Sequence, residues 1–337
     1  MQRDGQQVVT HNEHRFILNH AALGDMITSL PAIIHAMRTV HPTVKLVAYV
    51  PPWQVDLVRH LLAPYGSITI EDISTMPAKA EDRIAQWGDV SSSMNTAISN
   101  THTRNRVHMV DYAFNFLLDS RPECMAQRNY PTEAPLGQPL ALFDSCAGYV
   151  VFPVGATSDN KLFKAHVMEP VMQWILDNGW LPVLVGTKMS HTRAQMGDKL
   201  GEQLVIRDEV EKISGSLMRE VCDMREKTTL LELRDILGHA TAVVGVDGGT
   251  LHLAGTTDTN IIYAMGTTLP MHRYITRQGN PNHKIRYVGP RDLECTGCQS
   301  KAALTRWDFR LCPFDDNKCM DMLHPEDFIN GLKELGL

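Results

Sequence analysis

The stretch from Val243 to Gly255 constrains the fold of this chain more than any other. It opens with the apolar and β-branched residues of a buried parallel strand, and Asp247 and two glycines then interrupt the run. The residues from Leu251 onward predict a helix. A strand that passes through a glycine turn into a helix points unpaired backbone N–H groups beyond the strand end, where they suit a phosphate or pyrophosphate. The alternative is a tight connection in which Asp247 only caps the helix.

Length, composition and charge exclude several classes of protein. With 337 residues, of which 43% are hydrophobic and 21% charged, the chain can build two globular domains with sizeable cores. Its formal charge of −6 gives no electrostatic help for holding nucleic acid or an anionic membrane. The sequence contains no apolar run long enough for a membrane helix, and its polar start resembles no signal peptide. We therefore expect a cytoplasmic protein without membrane insertion.

Strands and helices alternate in the first half of the chain, which is typical of a parallel α/β sheet. The helix from Met26 to Val40 carries apolar residues at spacings of three and four, and Pro31 lies in its early part. The other predicted elements are strands at Arg15–Asn19, Val44–Val50, Ser67–Ile70 and Arg106–Val110, and helices at Trp53–Leu62 and Asp111–Leu118.

A second α/β unit follows a segment rich in prolines between Pro122 and Pro139. We therefore predict two domains, 1–140 and 141–337. The second contains predicted strands at Tyr149–Phe152, Leu181–Val185 and Ile261–Met265, and helices at Ala165–Asp177 and Leu230–His239. In such sheets ligands bind beyond the carboxyl ends of the strands. Small or hydroxyl residues follow three of these ends, at Gly155–Ser158, Asp247–Thr250 and Gly266–Thr268, which favours a nucleoside diphosphate ligand.

Three ordered motifs resemble the signatures of glycosyltransferase family 9, the heptosyltransferase family. The first is Gly24-Asp25-Met-Ile-Thr-Ser-Leu-Pro31, with His41-Pro42 after the helix. The second is Pro153-x-Gly155-Ala156 with Lys161, and the third is Asp247-x-Gly249-x-x-His252-Leu-Ala254, followed by a strand and Gly266-Thr. The resemblance extends from about Phe16 to Phe328.

This resemblance implies a GT-B fold, in which two Rossmann-like domains face a central cleft. It also implies that the second domain binds a nucleotide sugar, ADP- or UDP-linked, and that the first faces the acceptor, which is a glycan, a protein or a modified nucleic acid. The chain departs from the family at Gly248, where members usually carry Ser or Thr. The missing hydroxyl contact with the donor can come from Thr250.

Transfer of a sugar to a hydroxyl needs a base for the proton and positive charge for the departing pyrophosphate. Asp25 is the predicted base, and Lys161, with Lys164 second, is predicted to hold the pyrophosphate. The predicted donor site comprises Gly24, Gly155, Thr157, Lys161, Asp247, Gly248, Gly249, Thr250, His252 and Gly266. The structural alternatives are a helix cap for Asp25, solvated lysines and a core histidine. No Asp-x-Asp motif occurs, so no catalytic divalent metal is expected.

Four cysteines near the end of the chain, Cys295, Cys298, Cys312 and Cys319, form the second strong signal. A C-x₂-C turn offers two sulfurs to one tetrahedral ion, and two further cysteines complete the set. We predict one structural zinc or iron ion in the segment 295–319, because four thiolates leave no open position for a substrate. Similar clusters occur in some members of the resembled family. The alternative is four reduced thiols without a metal.

Two functions from different classes therefore remain open. The first is a glycosyltransferase that uses a nucleotide sugar, with Asp25 as its general base. The second is a non-catalytic module that binds a nucleotide sugar or nucleic acid on the same fold. An enzyme that hydrolyses or epimerises the nucleotide sugar is a weaker third candidate.

Overall fold

The computed structural model describes residues 13–18, 23–76, 109–118, 120–140, 143, 147–187, 206–277, 285–298, 312, 314 and 316–337. Its strands form two sheets, both parallel, which confirms the predicted α/β class. None of the described helices is both long enough and apolar enough to cross a membrane.

The first sheet has three strands in the order β1-β2-β3. These are β1 (Glu13–Ile17), β2 (Lys45–Val50) and β3 (Thr69–Asp72), with helices α1 (Leu23–Thr39), α2 (Val55–Leu62) and α3 (Met109–Leu118). The predicted strand at Arg106–Val110 is wrong at Met109 and Val110, which are buried in the first turn of α3. A short apolar run alone does not distinguish a buried strand from a buried helix.

Helix α1 buries the face that its apolar spacing predicts. Ile27, Leu30 and Ile33 have no exposed surface, because this face packs against the first sheet and α3. The helix runs past Pro31 to Thr39, since a proline removes only one backbone hydrogen bond and burial continues on both sides of it.

The second sheet has six strands in the order β6-β5-β4-β7-β8-β9. They are β4 (Tyr149–Val154), β5 (Leu181–Gly186), β6 (Cys222–Asp223), β7 (Ala242–Val246), β8 (Asn260–Ala264) and β9 (Ile285–Val288). The chain proceeds from β4 toward one edge and from β7 toward the other. The boundary between β4 and β7 is therefore the topological switch point, where open α/β sheets bind their ligands.

Within the described residues, seven helices accompany the second sheet. They are α4 (Ala165–Asp177), α5 (Gly215–Met218), α6 (Leu230–His239), α7 (Gly249–Ala254), α8 (Pro270–Arg273), α9 (Lys318–Asp321) and α10 (Pro325–Glu334). The bounds of α4 and α6 are those that the sequence predicts. Helix α6 begins at a capping box, in which Thr229 and Glu232 satisfy each other's backbone N–H groups.

The two halves of the chain meet where α1 and α7 begin. A Cβ atom on Gly249 would lie 3.0 Å from Cβ of Leu23 and 3.1 Å from the backbone nitrogen of Gly24. A Cβ atom on Gly24 would lie 3.0 Å from Cδ2 of His252. Glycine at both positions lets the helix starts approach this closely, which brings the first half against the switch point of the second.

Arg234 on α6 binds the proline-rich segment between the two sheets through hydrogen bonds. Its side chain is 1% exposed, and burial lowers the pKa of its guanidinium. It donates to the carbonyl oxygens of Ala134, Pro135 and Thr256 at 2.8, 3.0 and 3.1 Å. A buried guanidinium surrounded by carbonyl groups fixes the path of this segment. The domain boundary after residue 140 stays a prediction.

We predict that Arg234→Met lowers the free energy of unfolding by about 2–4 kcal/mol, because the buried carbonyl groups lose their donor. Urea denaturation measures the loss. Arg286→Met is the control, since Arg286 pairs with Glu334 at the surface, and there we expect a change within about 0.5 kcal/mol. Equal losses in the two variants would contradict the anchoring role of Arg234.

Candidate functional site

A cleft of about 500 Å³ lies between the carboxyl ends of the second sheet's strands and the beginning of α1. The first half contributes Asp25, Thr28 and the partly exposed Trp53 to its wall. The second half contributes the turns that follow β4, β5 and β7. The cleft therefore occupies the switch point, where the fold favours a ligand.

Most of the predicted site residues line this cleft. They are Gly24, Asp25, Gly155, Thr157, Lys161, Asp247, Gly248, Gly249, Thr250 and His252. Gly266 is not part of the lining, because it packs against the cysteine segment, where its Cβ would lie 2.9 Å from Cβ of Cys319. Lys164 is also absent from the lining, and its ammonium pairs with Glu209 and Asp321. The roles assigned to these residues stay predictions.

The glycine turn after β7 is not a connection in which Asp247 caps the helix. Gly248, in extended conformation with φ −170°, occupies the cap position, and α7 begins at Gly249. The first N–H groups of a helix have no acceptor within it, and those of α7 belong to residues that line the cleft. Across the switch point, Gly155 has φ 98°, a conformation that side-chain-bearing residues rarely adopt.

Asp247 forms a buried ion pair with Lys161 instead of capping the helix. Nζ of Lys161 lies 2.7 Å from Oδ2 of Asp247, and the hydroxyl of Tyr263 donates to Oδ1 at 2.5 Å. Burial by itself raises the pKa of Asp247, but the attraction of Lys161 and the hydrogen bonding of His252 outweigh it and hold the pKa well below its ordinary value. Asp247 is therefore a carboxylate at neutral pH, and both of its oxygens are engaged.

His252 lies between two buried tyrosines. The hydroxyl of Tyr130 is 2.7 Å from Nδ1 of His252, and the hydroxyl of Tyr263 is 3.3 Å from Nε2. Burial, followed by neighbouring charges, raises the pKa of both tyrosines well above the ordinary value, so both stay protonated. Both ring nitrogens of His252 are thus engaged, and its side chain is 5% exposed.

Asp25 is the third residue of α1 and lines the cleft from the side of the first half. Its backbone carbonyl accepts hydrogen bonds from the hydroxyls of Thr28 and Ser29, at 2.9 and 2.8 Å. Because α1 begins at Leu23, Asp25 lies inside the first turn and not at the cap position. A carboxylate there is stabilised by the helix dipole.

Several lining residues were missed by the sequence reasoning. Glu226 has φ 63° and donates its backbone N–H to the carbonyl of Gly186, and a non-glycine residue in this conformation is a structural signal that the sequence does not carry. Arg273, almost fully buried, also reaches the cleft. Tyr263, which does not line the cleft but binds Asp247, was also missed. The sequence contains one signal for it, because the hydroxyl of a tyrosine within an aliphatic strand needs a hydrogen-bond partner.

The four cysteines near the end of the chain lie close to one another. Burial raises the pKa of Cys319 to about 12, and the neighbouring Cys298, Cys312 and Cys295 add to this effect. Within the described part of the chain, however, no three His, Cys, Asp or Glu side chains are arranged as a metal-ligand group. The metal ion therefore stays a prediction.

Comparisons with known proteins agree with this geometry. Residues 136–303 match the family model of glycosyltransferase family 9 (heptosyltransferase). No curated protein matches the chain significantly in sequence.

Among solved structures, the chain is similar to the bacterial iron-containing dodecameric glycosyltransferase TibC from enterotoxigenic E. coli, with 18% identity, a TM-score of 0.65, and coverage of 96% of this chain and 78% of TibC. It is also similar to E. coli ADP-heptose LPS heptosyltransferase II, with 12% identity, a TM-score of 0.53, and coverage of 95% of this chain and 99% of the transferase. For E. coli heptosyltransferase WaaC with ADP, the identity is 15% and the TM-score 0.53, and the match covers 96% of this chain and 100% of WaaC. These similarities confirm the GT-B fold with two Rossmann-like domains.

The lowered pKa of Asp247 predicts how the free energy of unfolding depends on pH. The buried carboxylate stabilises the folded state above its pKa in the unfolded chain, about 3.9, and this contribution is lost as the pH falls through the lower pKa of the folded state. At pH 7, we expect Asp247→Asn to lower the free energy of unfolding by about 3 kcal/mol or more, because Lys161 loses its partner. The difference from wild type should shrink below about pH 4.

Urea denaturation at pH 7, 5, 3.5 and 2 measures this difference. Asp56→Asn is the matched control, because Asp56 is exposed and pairs with Arg59 at the surface, and we expect a small effect at every pH. A deficit of Asp247→Asn that stayed constant down to pH 2 would contradict the ionised buried pair.

Proposed function

Because the chain belongs to glycosyltransferase family 9, we propose that this glycosyltransferase moves a heptose-like sugar from a nucleoside diphosphate to an acceptor hydroxyl, with Asp25 as its general base. One observation carries the proposal. Asp25 on the first turn of α1, Lys161 and the glycine turn before α7 all line the same cleft of about 500 Å³. The proposed base and the proposed pyrophosphate site therefore border one space that a nucleotide sugar can enter.

The comparisons support an adenosine diphosphate donor. A TibC structure with a TM-score of 0.64 to this chain contains ADP-D-β-D-heptose, and WaaC structures contain ADP or ADP-2-deoxy-2-fluoro heptose. By this analogy, the donor of the present chain is an ADP-linked heptose or a related sugar.

The donor's pyrophosphate lies, in this proposal, against the turns after β4 and β7. Lys161 supplies a positive charge, and the first N–H groups of α7, from Gly249 and Thr250, supply donors. Gly155 leaves room for a phosphate to approach the backbone. These groups stabilise the negative charge that the leaving nucleoside diphosphate gains as the glycosidic bond to it breaks.

The general base must be a carboxylate that is open to the cleft, and the two aspartates of the wall differ in this respect. Asp247 is 7% exposed, and Lys161 and Tyr263 engage its two oxygens. Asp25 is only partly buried and belongs to the part of the cleft wall that the first half of the chain forms. Asp25 therefore takes the proton of the acceptor hydroxyl as its oxygen bonds to the anomeric carbon.

We also propose that Cys295, Cys298, Cys312 and Cys319 hold one structural zinc or iron ion, and the comparison with the iron-containing TibC supports it. The local geometry fits thiolate ligands in two respects. The backbone N–H of Phe314 points to Sγ of Cys312 at 3.4 Å, and Gly297 inside the C-x₂-C turn has φ 72°. The bound ion would crosslink the segment that packs against Gly266 at the end of β8.

Asp25→Asn should keep nucleotide affinity and lower donor turnover by about 10²-fold or more, because asparagine has nearly the same shape but cannot accept the proton.

Lys161→Ala, in contrast, should strongly weaken the affinity for the nucleoside diphosphate. Calorimetric titration with ADP measures binding, and release of the nucleoside diphosphate from ADP-heptose measures turnover.

A thermal-shift panel of nucleoside diphosphates and nucleotide sugars comes first, since a ligand at 100 times its dissociation constant adds about 2.7 kcal/mol of stability. Wild-type turnover in Asp25→Asn would leave this aspartate without a catalytic role. Absence of turnover in the wild type, despite tight binding, would instead favour the binding module.

For the metal, we expect purified protein to contain close to one equivalent of zinc or iron by elemental analysis. Cys298→Ser should lower both the metal content and the melting temperature, because metal binding is coupled to folding of such a segment. Cys124→Ser is the control, since Cys124 is exposed and lies outside the cluster. A stable, metal-free wild-type protein would remove the metal from the proposal.

A further inference from the structure

A continuous chain of hydrogen bonds leads from the segment between the two sheets to the cleft. It starts at Tyr130, passes through His252 and Tyr263 to Asp247, and ends at Lys161. The successive distances are 2.7, 3.3, 2.5 and 2.7 Å. All members except Lys161 are almost completely buried, so water does not compete for these contacts.

The direction of each hydrogen bond follows from the carboxylate at one end. Asp247 can only accept, so the hydroxyl of Tyr263 donates to Oδ1. The oxygen of Tyr263 is then available to accept from Nε2–H of His252. In the tautomer with its proton on Nε2, the ring accepts at Nδ1 from the hydroxyl of Tyr130. Both tyrosine hydroxyls and the ring N–H of His252 thus find an acceptor within the network.

The two ends of this chain belong to different parts of the fold. Tyr130 is tied to the second half by its backbone, since its N–H donates to the carbonyl of Thr276 at 2.8 Å. Lys161 lies on the turn after β4, and its side chain is 28% exposed. The network therefore begins in a fixed, buried position and ends at its most exposed member, which lines the cleft.

We propose that Tyr130 and Tyr263 are positioning residues that act through His252 and Asp247 to hold the ammonium group of Lys161 toward the donor's diphosphate. This rests on the proposed function, in which Lys161 binds the pyrophosphate. The role of His252 is then indirect, because both ring nitrogens serve the tyrosines. Without the Tyr263 hydroxyl, the contact that the described residues leave to Oδ1 of Asp247 is His252, at 3.7 Å. The carboxylate can then rotate and draw Lys161 away from the cleft.

The central test is Tyr263→Phe, which removes one hydroxyl and keeps the ring. We expect ADP affinity to fall by about tenfold, because a hydrogen bond to a charged group is lost, while adenosine affinity stays unchanged. Tyr130→Phe should shift ADP affinity in the same direction. The double variant should lose less than the sum of the two, because both act through one histidine.

Tyr149→Phe is the matched control. Tyr149 is also a buried tyrosine, and its hydroxyl donates to the carbonyl of Ile236 at 2.8 Å, outside the cleft and outside the network. It should lower the melting temperature about as much as Tyr263→Phe and leave ADP affinity unchanged. All titrations are carried out on the full chain, well below the lowest melting temperature.

The Lys161→Ala background separates positioning from general destabilisation. If Tyr263 acts through Lys161, Tyr263→Phe should have no further effect on ADP affinity in that background. An equal loss of ADP and adenosine binding, or a tenfold loss that persists without the lysine, would overturn the positioning role. If Lys161→Ala alone left ADP affinity intact, the pyrophosphate assignment itself would fail, and the positioning role with it.

Discussion

The buried ion pair between Lys161 and Asp247 is the interaction on which the site depends. A carboxylate inside a protein is costly unless it is paired and hydrogen-bonded. Here the partners come from neighbouring strands of the second sheet, because Lys161 follows β4, Asp247 follows β7 and Tyr263 belongs to β8. The strand order that creates the switch point is therefore also what brings the charges together.

The cleft lies beside the point where the two halves of the chain approach each other through their backbones. Gly24 and Gly249 let α1 and α7 begin almost in contact. Arg234 fixes the segment that connects the two halves, because its guanidinium binds two carbonyl groups of that segment. These contacts bring Asp25 to the same cleft as the turns after β4 and β7. A sugar nucleotide in the cleft would thus touch elements that are already fixed relative to one another, which reduces the ordering that binding requires.

Prediction from sequence succeeded where the signal was local and failed where tertiary packing determined the conformation or the environment of a residue. The bounds of α4 and α6 follow from apolar spacing and end signals such as the Thr229–Glu232 capping box. Val110 was misassigned to a strand, since a buried helix and a buried strand share the same apolar run. Gly266 carries the right residue type after the right strand, yet the cysteine segment covers it.

The sequence by itself determined the alternation of strands and helices, the glycine turns and the family motifs, because periodicity, backbone freedom and spacing are properties of short stretches. Only the tertiary structure decided which polar groups meet. Tyr130 and His252 are 122 positions apart, and Lys161 and Asp247 are 86 apart. No local pattern encodes such pairs, since their distances depend on the order of strands in the sheet and on the path of the segment between the sheets.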